Sequence, residues 1–365
     1  MAGAALPLRI DEVAFGGRGV GRLPDGRVVF VPFVAAGETV RVEIVREHRS
    51  YLEARLVAVE EPSPRRVEPP CPYYGRCGGC SYQHLDGAEQ RDTKRAQVAG
   101  TLRRVGRFEE APPVRPTVAS PREYGYRNRI TVHVREGTVG FFAHGVAGRG
   151  QLIDIDRCPI AEDGVNEALA RFRARPANRR WEGNYTLRAE GAGGAGEGFR
   201  QTNDGAAAQL LSLVAGLPDR AATHLLDAYC GAGFFAKNLR ERFASVVGVE
   251  WDARAVAVAG RNAAPHEAYR CGDVAALLPG ELARMPTAGS LLILDPPSEG
   301  LAEPVRAAVA AQPPAEVVYV SCNPATLARD LAAWRGAYEI VSVTPLDMFP
   351  QTAEIEAVAH LRKRS

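Results

Sequence analysis

From about residue 203 the chain alternates short apolar runs with Ala- and Arg-rich stretches of helical length and pattern. The apolar runs are HLLDAY (224–229), SVVGVE (245–250), SLLILD (290–295) and EVVYVS (316–321). Strands that alternate with helices in this way build a doubly wound α/β sheet. Such sheets bind ligands at the carboxyl ends of their strands, so the residues just after each run are the ones to read for chemistry.

LLDAYCGAGFF (225–235) ends its strand in Asp227 and turns through Gly231 and Gly233 into a helix. Glycines there let the backbone approach a ligand closely, with a helix N-terminus nearby. The third glycine of a dinucleotide fingerprint is missing. Glu250 lies about twenty residues on, where a carboxylate can accept hydrogen bonds from ribose hydroxyls. Together these suit an adenosine ligand such as S-adenosylmethionine better than NAD; a plain α/β turn with a surface acid is the competing reading. LLILDPPSEGL (291–301) holds Asp295 on a rigid, extended Pro-Pro terminus. Amino-group methyltransferases commonly place a base-stacking aromatic after such prolines, and Ser298 stands there instead. VVYVSCNPATLARDL (317–331) puts Cys322 just past a strand, on a turn through Asn323-Pro324. Most cysteines are buried small hydrophobes. At the rim of such a sheet, however, a thiolate has the setting of a nucleophile.

Upstream the grammar is different. Residues 6–62 carry the strand-like runs VVFVPFV (28–34), TVRVEIV (39–45) and LEARLVAV (52–59), separated by Gly-rich punctuation. That is the size of a small barrel of the OB type, which commonly binds oligonucleotides. FGGRGVGR (15–22) reads as a glycine-rich loop with two arginines, suited to phosphate contact or simply solvated. EPSPRRVEPP (61–70) reads as a linker. GAEQRDTKRAQVAGTLRRVG (87–106) has helical spacing, with Val98, Leu102 and Val105 on one side, and is made basic by Lys94, Arg95, Arg103 and Arg104. A hairpin turning near Glu136-Gly137 is expected within residues 124–145, and GAGGAGEG (191–198) reads as a flexible connection. The net charge of +2 announces no large nucleic-acid partner. Over residues 61–130, though, Lys and Arg outnumber Asp and Glu, a local bias that is often only a solvated face.

CPYYGRCGGC (71–80) concentrates three of the seven cysteines within ten positions. Disulfides are disfavoured, because the N-terminal residues do not read as a signal peptide and an odd cysteine count cannot form a complete framework. Zinc sites favour C-x2–4-C pairs. In an iron–sulfur site, Gly78 and Gly79 would free backbone N–H groups to approach the sulfurs. Zinc and iron–sulfur both stay open on the residues alone. No uncharged apolar run approaches 18 residues, so no membrane span is expected and a cytoplasmic enzyme is the default.

DAYCGAGFF, DPP-x-x-GL, SCNPATLARDL and DMFPQTAEIEAV (347–358) together resemble the S-adenosylmethionine-dependent RNA 5-methyluridine methyltransferases. FRQTN (199–203) resembles the family's entry to its catalytic domain, and GGRGVGRL looks like part of a TRAM domain. The resemblance implies an α/β chain of three parts: a TRAM-like OB barrel over 1–62, an iron–sulfur and RNA-binding region over 63–200, and a Rossmann-like class I methyltransferase domain over 201–365. It further implies a [4Fe–4S] cluster held by Cys71, Cys77, Cys80 and the distant Cys158, with a structural or RNA-binding role. Cys322 is then the nucleophile that adds to carbon 6 of uracil, and Glu356 the base that removes the carbon 5 proton. Gln201, Tyr229, Gly231, Gly233, Glu250, Asp273 and Asp295 would bind S-adenosylmethionine. Three positions depart from the family pattern: Phe234 for a small or polar residue, Ser298 for an arginine, and Glu354 for a histidine.

The expected reaction is methylation of a specific uridine, with 23S rRNA ahead of tRNA as substrate and the enzyme a monomer. RNA cytosine-5 methylation is the alternative within enzymes, although that family typically has Pro-Cys where this chain has Pro296-Pro297. A non-catalytic iron–sulfur RNA-binding protein is the alternative outside them, and it would be expected to lack Cys322 or Glu356.

Overall fold

The structure, a computed structural model, describes residues 5–110, 112–145, 150–175, 180–191, 201–218, 221–286 and 288–364. Phe199 and Arg200 of FRQTN, and most of the connection expected at 191–198, lie outside the described residues.

The first sheet is built from β1 (Leu6–Arg9), β2 (Glu12–Val13), β3 (Arg18–Arg22), β4 (Val28–Pro32), β5 (Thr39–Glu47) and β6 (Tyr51–Glu61), in the order β1-β5-β6-β4-β3-β2. Alternation puts Val29, Val31, Val40, Val42, Leu52 and Ala54 into one core with Leu8 and Ile10. The sheet curls until β3 meets β1. At Gly21 a Cβ would sit 2.4 Å from the Arg9 carbonyl oxygen, so only glycine allows that approach. FGGRGVGR is therefore not a loop throughout. Its arginines flank β3 on the outer face, Arg18 bonded to Glu53 and Arg22 to the Gly26 carbonyl.

Residues 61–70, expected as a free linker, are fastened on both sides. Arg66 forms an ion pair with the fully buried Glu38 at 2.6 Å and also bonds the Phe33 carbonyl, while Arg65 bonds Asp86 and Asp92. Helix α1 (Gly87–Arg104) follows, with Asp86 as its N-cap accepting from the Glu89 N–H. Val98 and Leu102 are buried, but Val105 is 47% exposed, because the chain leaves the helix there. Lys94, expected on the basic face, is fully buried.

A second, antiparallel sheet in the order β10-β7-β8-β9 joins β7 (Arg129–Arg135), β8 (Thr138–Phe142), β9 (Leu152–Asp154) and β10 (Gly183–Arg188), with α2 (Asp163–Ala174) between β9 and β10 in the chain. The β7–β8 turn falls on Glu136 and Gly137, both with positive φ, the geometry that matches the twist of the flanking strands.

The third region runs α3 (Asp204–Gly216), β11 (His224–Ala228), α4 (Phe234–Leu239), β12 (Ser245–Glu250), α5 (Ala253–Gly260), β13 (Glu267–Cys271), α6 (Val274–Arg284), β14 (Ser290–Leu294), α7 (Glu303–Ala311), β15 (Glu316–Ser321), α8 (Pro324–Ala333), β16 (Tyr338–Leu346) and β17 (Glu356–Lys363). Its seven strands lie in the order β13-β12-β11-β14-β15-β17-β16. The first five are parallel, and β17 inserts antiparallel between β15 and β16. Every residue of β14 and β15 is buried, as expected for strands covered on both faces. Segment 112–118 bridges to the outer edge of β16 at Val114 and Val118, covering an edge that would otherwise be open. Among the described residues no helix is long and apolar enough to cross a membrane.

Candidate active site and cysteine cavity

The strand order reverses between β11 and β14, and the carboxyl ends of both strands open on that switch point. Asp227, in β11, is fully buried. Its Oδ2 accepts the Ala236 N–H at 2.8 Å and draws the glycine turn back over the strand, while burial pushes its carboxyl up to about 8. Tyr229 holds φ 66°, a left-handed conformation costing on the order of 1–3 kcal/mol for a residue with a Cβ. Gly231 and Gly233 continue the turn with φ of 54° and 87°. Glu250, at the end of β12, ties this turn down: one oxygen accepts the Gly231 N–H at 3.0 Å, the other the Asp252 N–H at 2.9 Å. Asp273 caps α6 through the Ala275 N–H, and Asp295 follows β14 directly. Four parallel strands thus bring Tyr229, Gly231, Gly233, Glu250, Asp273 and Asp295 to one edge. Gln201 stands apart, just before α3, with its carbonyl accepting from Asn128 Nδ2 at 2.8 Å.

Cys322 stands on the turn after β15. The Ser321 hydroxyl accepts the Asn323 N–H, and Asn323 caps α8 through the Ala325 N–H, so the thiol is presented from a braced loop. Asn323 Nδ2 and the Thr326 hydroxyl both donate to the Ser298 carbonyl, which ties the Asp-Pro-Pro loop to the cysteine turn. Arg329 holds the same loop through the Glu299 and Leu301 carbonyls, so an arginine reaches it from α8 although position 298 carries a serine.

Strand register sets Glu356 beside this cysteine. Ser321 pairs with Ala357 across β15 and β17, and Glu356 pairs with Leu346 across β17 and β16. One residue beyond the Ser321–Ala357 pair, Cys322 and Glu356 face each other. Glu356 is buried, and its Oε1 has no hydrogen-bond partner. Burial, then the charges of Asp295 and Glu354, push its carboxyl well above the ordinary range. Burial lifts Asp295 to about 7. Cys322 is exposed at its turn, yet enough protein surrounds the thiol that burial, followed by Glu356, Asp295 and Glu354, pushes it up to about 11.

The loop entering β17 carries DMFPQT, and it is a hub. Lys94 of α1 donates to Asp347 at 2.7 Å and to the Phe349 carbonyl at 3.0 Å. Gln90 and Gln351 bond reciprocally, and the Gln351 carbonyl accepts the Ser81 and Tyr82 N–H groups just after Cys80. Tyr126 donates to the Pro350 carbonyl and Asn203 to the Met348 carbonyl. The sequence reading missed Lys94, Gln90 and Gln351 as site-shaping residues, because their partners lie some 250 positions away.

Cys71, Cys77, Cys80 and Cys158 line one cavity of about 260 Å³, together with Tyr73, Ile130, Phe141 and Ile155. All four are free thiols. The Gly79 N–H points at Cys77 Sγ at 3.4 Å, and Asn166 fixes Cys158 by accepting its N–H and donating to its carbonyl. Burial raises the thiols of Cys77, Cys80 (to about 12) and Cys158 (to about 11), so these three stay neutral unless a positive centre enters. Among the described residues no group of three or more His, Cys, Asp or Glu is gathered closely enough to hold a single metal ion. The thiols instead face the cavity from its walls. Four thiols lining one cavity are the donor set that a thiolate-ligated cluster would take.

The reversed β17 within an otherwise parallel sheet, with acids and glycines at the strand ends, defines a class I methyltransferase fold joined to a small β-barrel. Comparison with known proteins agrees. Residues 1–57 match the TRAM domain family, and residues 286–364 match the tRNA (Uracil-5-)-methyltransferase family. An uncharacterized RNA methyltransferase of Bdellovibrio bacteriovorus is 32% identical over 390 residues, covering 99% of this chain and 96% of that protein. The 23S rRNA (uracil(1939)-C(5))-methyltransferase RlmD of Thiobacillus denitrificans is 32% identical over 424 residues, covering 94% and 96%. The Pyrococcus abyssi tRNA (uracil-54, C5)-methyltransferase, solved with S-adenosyl-L-homocysteine, shares the fold with a TM-score of 0.73 and 24% identity, covering 98% of this chain and 100% of that one. This chain belongs to the RNA (uracil-5-)-methyltransferase family and is an S-adenosylmethionine-dependent enzyme.

Proposed function

We propose that the enzyme methylates carbon 5 of one uridine in 23S rRNA through a covalent bond between Cys322 and carbon 6 of the base. The observation that carries this is the β15–β17 register that sets Cys322 against Glu356. The ribosomal substrate draws on the end-to-end similarity to a 23S rRNA methyltransferase.

Bound at the strand ends by Tyr229, Gly231, Gly233, Glu250, Asp273 and Asp295, with Gln201 closing from α3's side, S-adenosylmethionine supplies an electrophilic methyl group. Cys322 gives its proton to Asp295, which leaves Glu356 ionised, and adds as thiolate to carbon 6, which makes carbon 5 nucleophilic. After methylation carbon 5 carries a surplus proton. Glu356 takes that proton; its buried, high-affinity carboxylate makes it a strong base. The carbon 6–sulfur bond then breaks and returns the thiolate. The uridine has to leave its stack to reach this edge.

Cys71, Cys77, Cys80 and Cys158 would hold a [4Fe–4S] cluster, which would brace the segment that hydrogen-bonds the DMFPQT loop. The chain would divide as a TRAM barrel over 1–62, a cluster-bearing region over 63–200 and the methyltransferase domain over 201–365.

Two replacements test the chemistry. Cys322→Ala should abolish methylation while leaving S-adenosylmethionine affinity unchanged. Glu356→Gln should slow turnover by about 10²–10⁴-fold, leaving methylated RNA attached to Cys322 as a retarded band on a denaturing gel. Normal turnover by Glu356→Gln, or a band that persists in the double variant, contradicts these roles. Nucleoside mass spectrometry of rRNA and tRNA from a deletion strain identifies the substrate, and loss of 5-methyluridine from tRNA alone would overturn the ribosomal reading.

A further inference from the structure

Two buried polar groups lining the cysteine cavity have no oxygen or nitrogen partner. Gln83 is 1% exposed; its side chain is turned toward the Cys80 sulfur, and neither end has an oxygen or nitrogen partner. Among the described residues it is the one amide side chain with both atoms so placed. The Nε of Arg127 is likewise buried and without a partner. Both residues line the same cavity as the four thiols. Gln83 lies beside Cys80, and Arg127 is near enough for its charge to act on Cys158. Buried donors in native structures are almost always satisfied, so under-used donors beside Cys80 and Cys158 point to an acceptor at the sulfurs.

The acceptor must be large enough to meet both residues and sulfur-rich enough to meet four thiolates. A [4Fe–4S] cluster has that character: its sulfurs accept hydrogen bonds, and with four thiolate ligands it is anionic. Arg127 also has a second partner. Its Nη2 lies 3.7 Å from Glu354 Oε2, and its guanidinium stands 5.5 Å above the Phe349 ring. Both belong to the loop that delivers Glu356. Arg127 therefore stands between the cysteine cavity and the catalytic edge, with one end facing each.

We propose that Gln83 and Arg127 are the non-cysteine hydrogen-bond donors of the cluster site, and that Arg127, shared between the cluster and Glu354, positions the catalytic loop from the cluster side. This rests on the cluster reading above. Hydrogen bonds and positive charge at the sulfurs stabilise the reduced, more negative cluster and so raise its reduction potential. Removing either donor lowers that potential.

The test uses the full chain purified without oxygen, with iron per chain, cluster midpoint potential and the rate of bleaching in air as readouts. Gln83→Met keeps the side chain's length without its donor, and Arg127→Gln removes the charge. Both should retain four irons while the potential moves negative and bleaching quickens several-fold. Arg127→Lys should fall between Arg127→Gln and the parent. Gln83→Glu provides a second probe at that position and should lower the potential further, since it adds negative charge. S-adenosylhomocysteine affinity reports whether the methyltransferase sheet is intact. Potentials and bleaching rates equal to the parent's in all four variants overturn the proposal. A parent without iron would instead refute the cluster reading itself.

Discussion

Before its sulfur can add to a base, Cys322 has to lose a proton, and its surroundings oppose that loss. Burial acts first, and three carboxylates on the same edge add to it. With the thiol pushed up to about 11, roughly one molecule in 10⁴ carries the thiolate at pH 7. Alkylation of Cys322 by iodoacetamide, followed on its own peptide by mass spectrometry, should therefore rise about tenfold per pH unit between pH 7 and 10. Glu354→Gln removes one of the opposing charges and should shift that profile to lower pH. A rate already flat above pH 8 in the parent would mean the carboxylates are not acting on the thiol. Arg127 at 3.7 Å is the one cation paired with Glu354 among the described residues, so the two departures from neutrality partly offset each other.

At the scale of elements, α1 and the β16–β17 loop are joined by a buried ion pair, Lys94 with Asp347, both almost wholly removed from water. Losing the lysine alone leaves a carboxylate stranded, which costs about 3–5 kcal/mol. Lys94→Met should lose that much in urea denaturation, and Lys94→Met with Asp347→Leu should recover most of it. Equal losses in the single and double variants would show that the pair is not the cause. No local pattern announces this contact. TKRAQ reads as a solvated basic face, and only the packing of α1 beside the DMFPQT loop turns Lys94 inward. The parallel strands were legible because β14 and β15 are continuous apolar runs, a signal that survives without knowledge of neighbours. The short β1 and β2 and the glycine-rich β3 were not, since each depends on cross-strand partners for its pairing. Of the active edge, Asp227, Glu250, Asp295 and Cys322 stood out as polar residues closing apolar runs. The role of Glu356 came from resemblance, and its placement beside Cys322 needed the β15–β17 register.

Across the whole molecule, the barrel is fastened to the rest rather than tethered. Gln97 of α1 donates to the Val13 and Ala14 carbonyls, and Arg66 reaches back to Glu38. Truncation at residue 62 would thus disturb the core, and a point change on the outer face tests RNA contact more cleanly. Arg22→Ala should weaken RNA association uniformly and lower the salt slope by about 1, with S-adenosylmethionine binding unchanged; an unaltered slope would remove Arg22 from the interface. Cys77→Ser should yield colourless protein with a weakened central region, because metal-binding energy is also folding energy. The seam between α1 and the catalytic loop also sets a timetable. Gln90 and Gln351 are 261 positions apart. At about 5–20 residues per second on the ribosome, the glutamine on α1 emerges roughly 13–50 s before its partner exists. Throughout that interval Lys94 has only water for company, and the Ser81 and Tyr82 amides beside Cys80 await the carbonyl that will hold them. The wall of the cysteine cavity is therefore synthesised early and locked late, and the later-made hairpin that inserts β17 fastens it during the same event that brings Glu356 to Cys322.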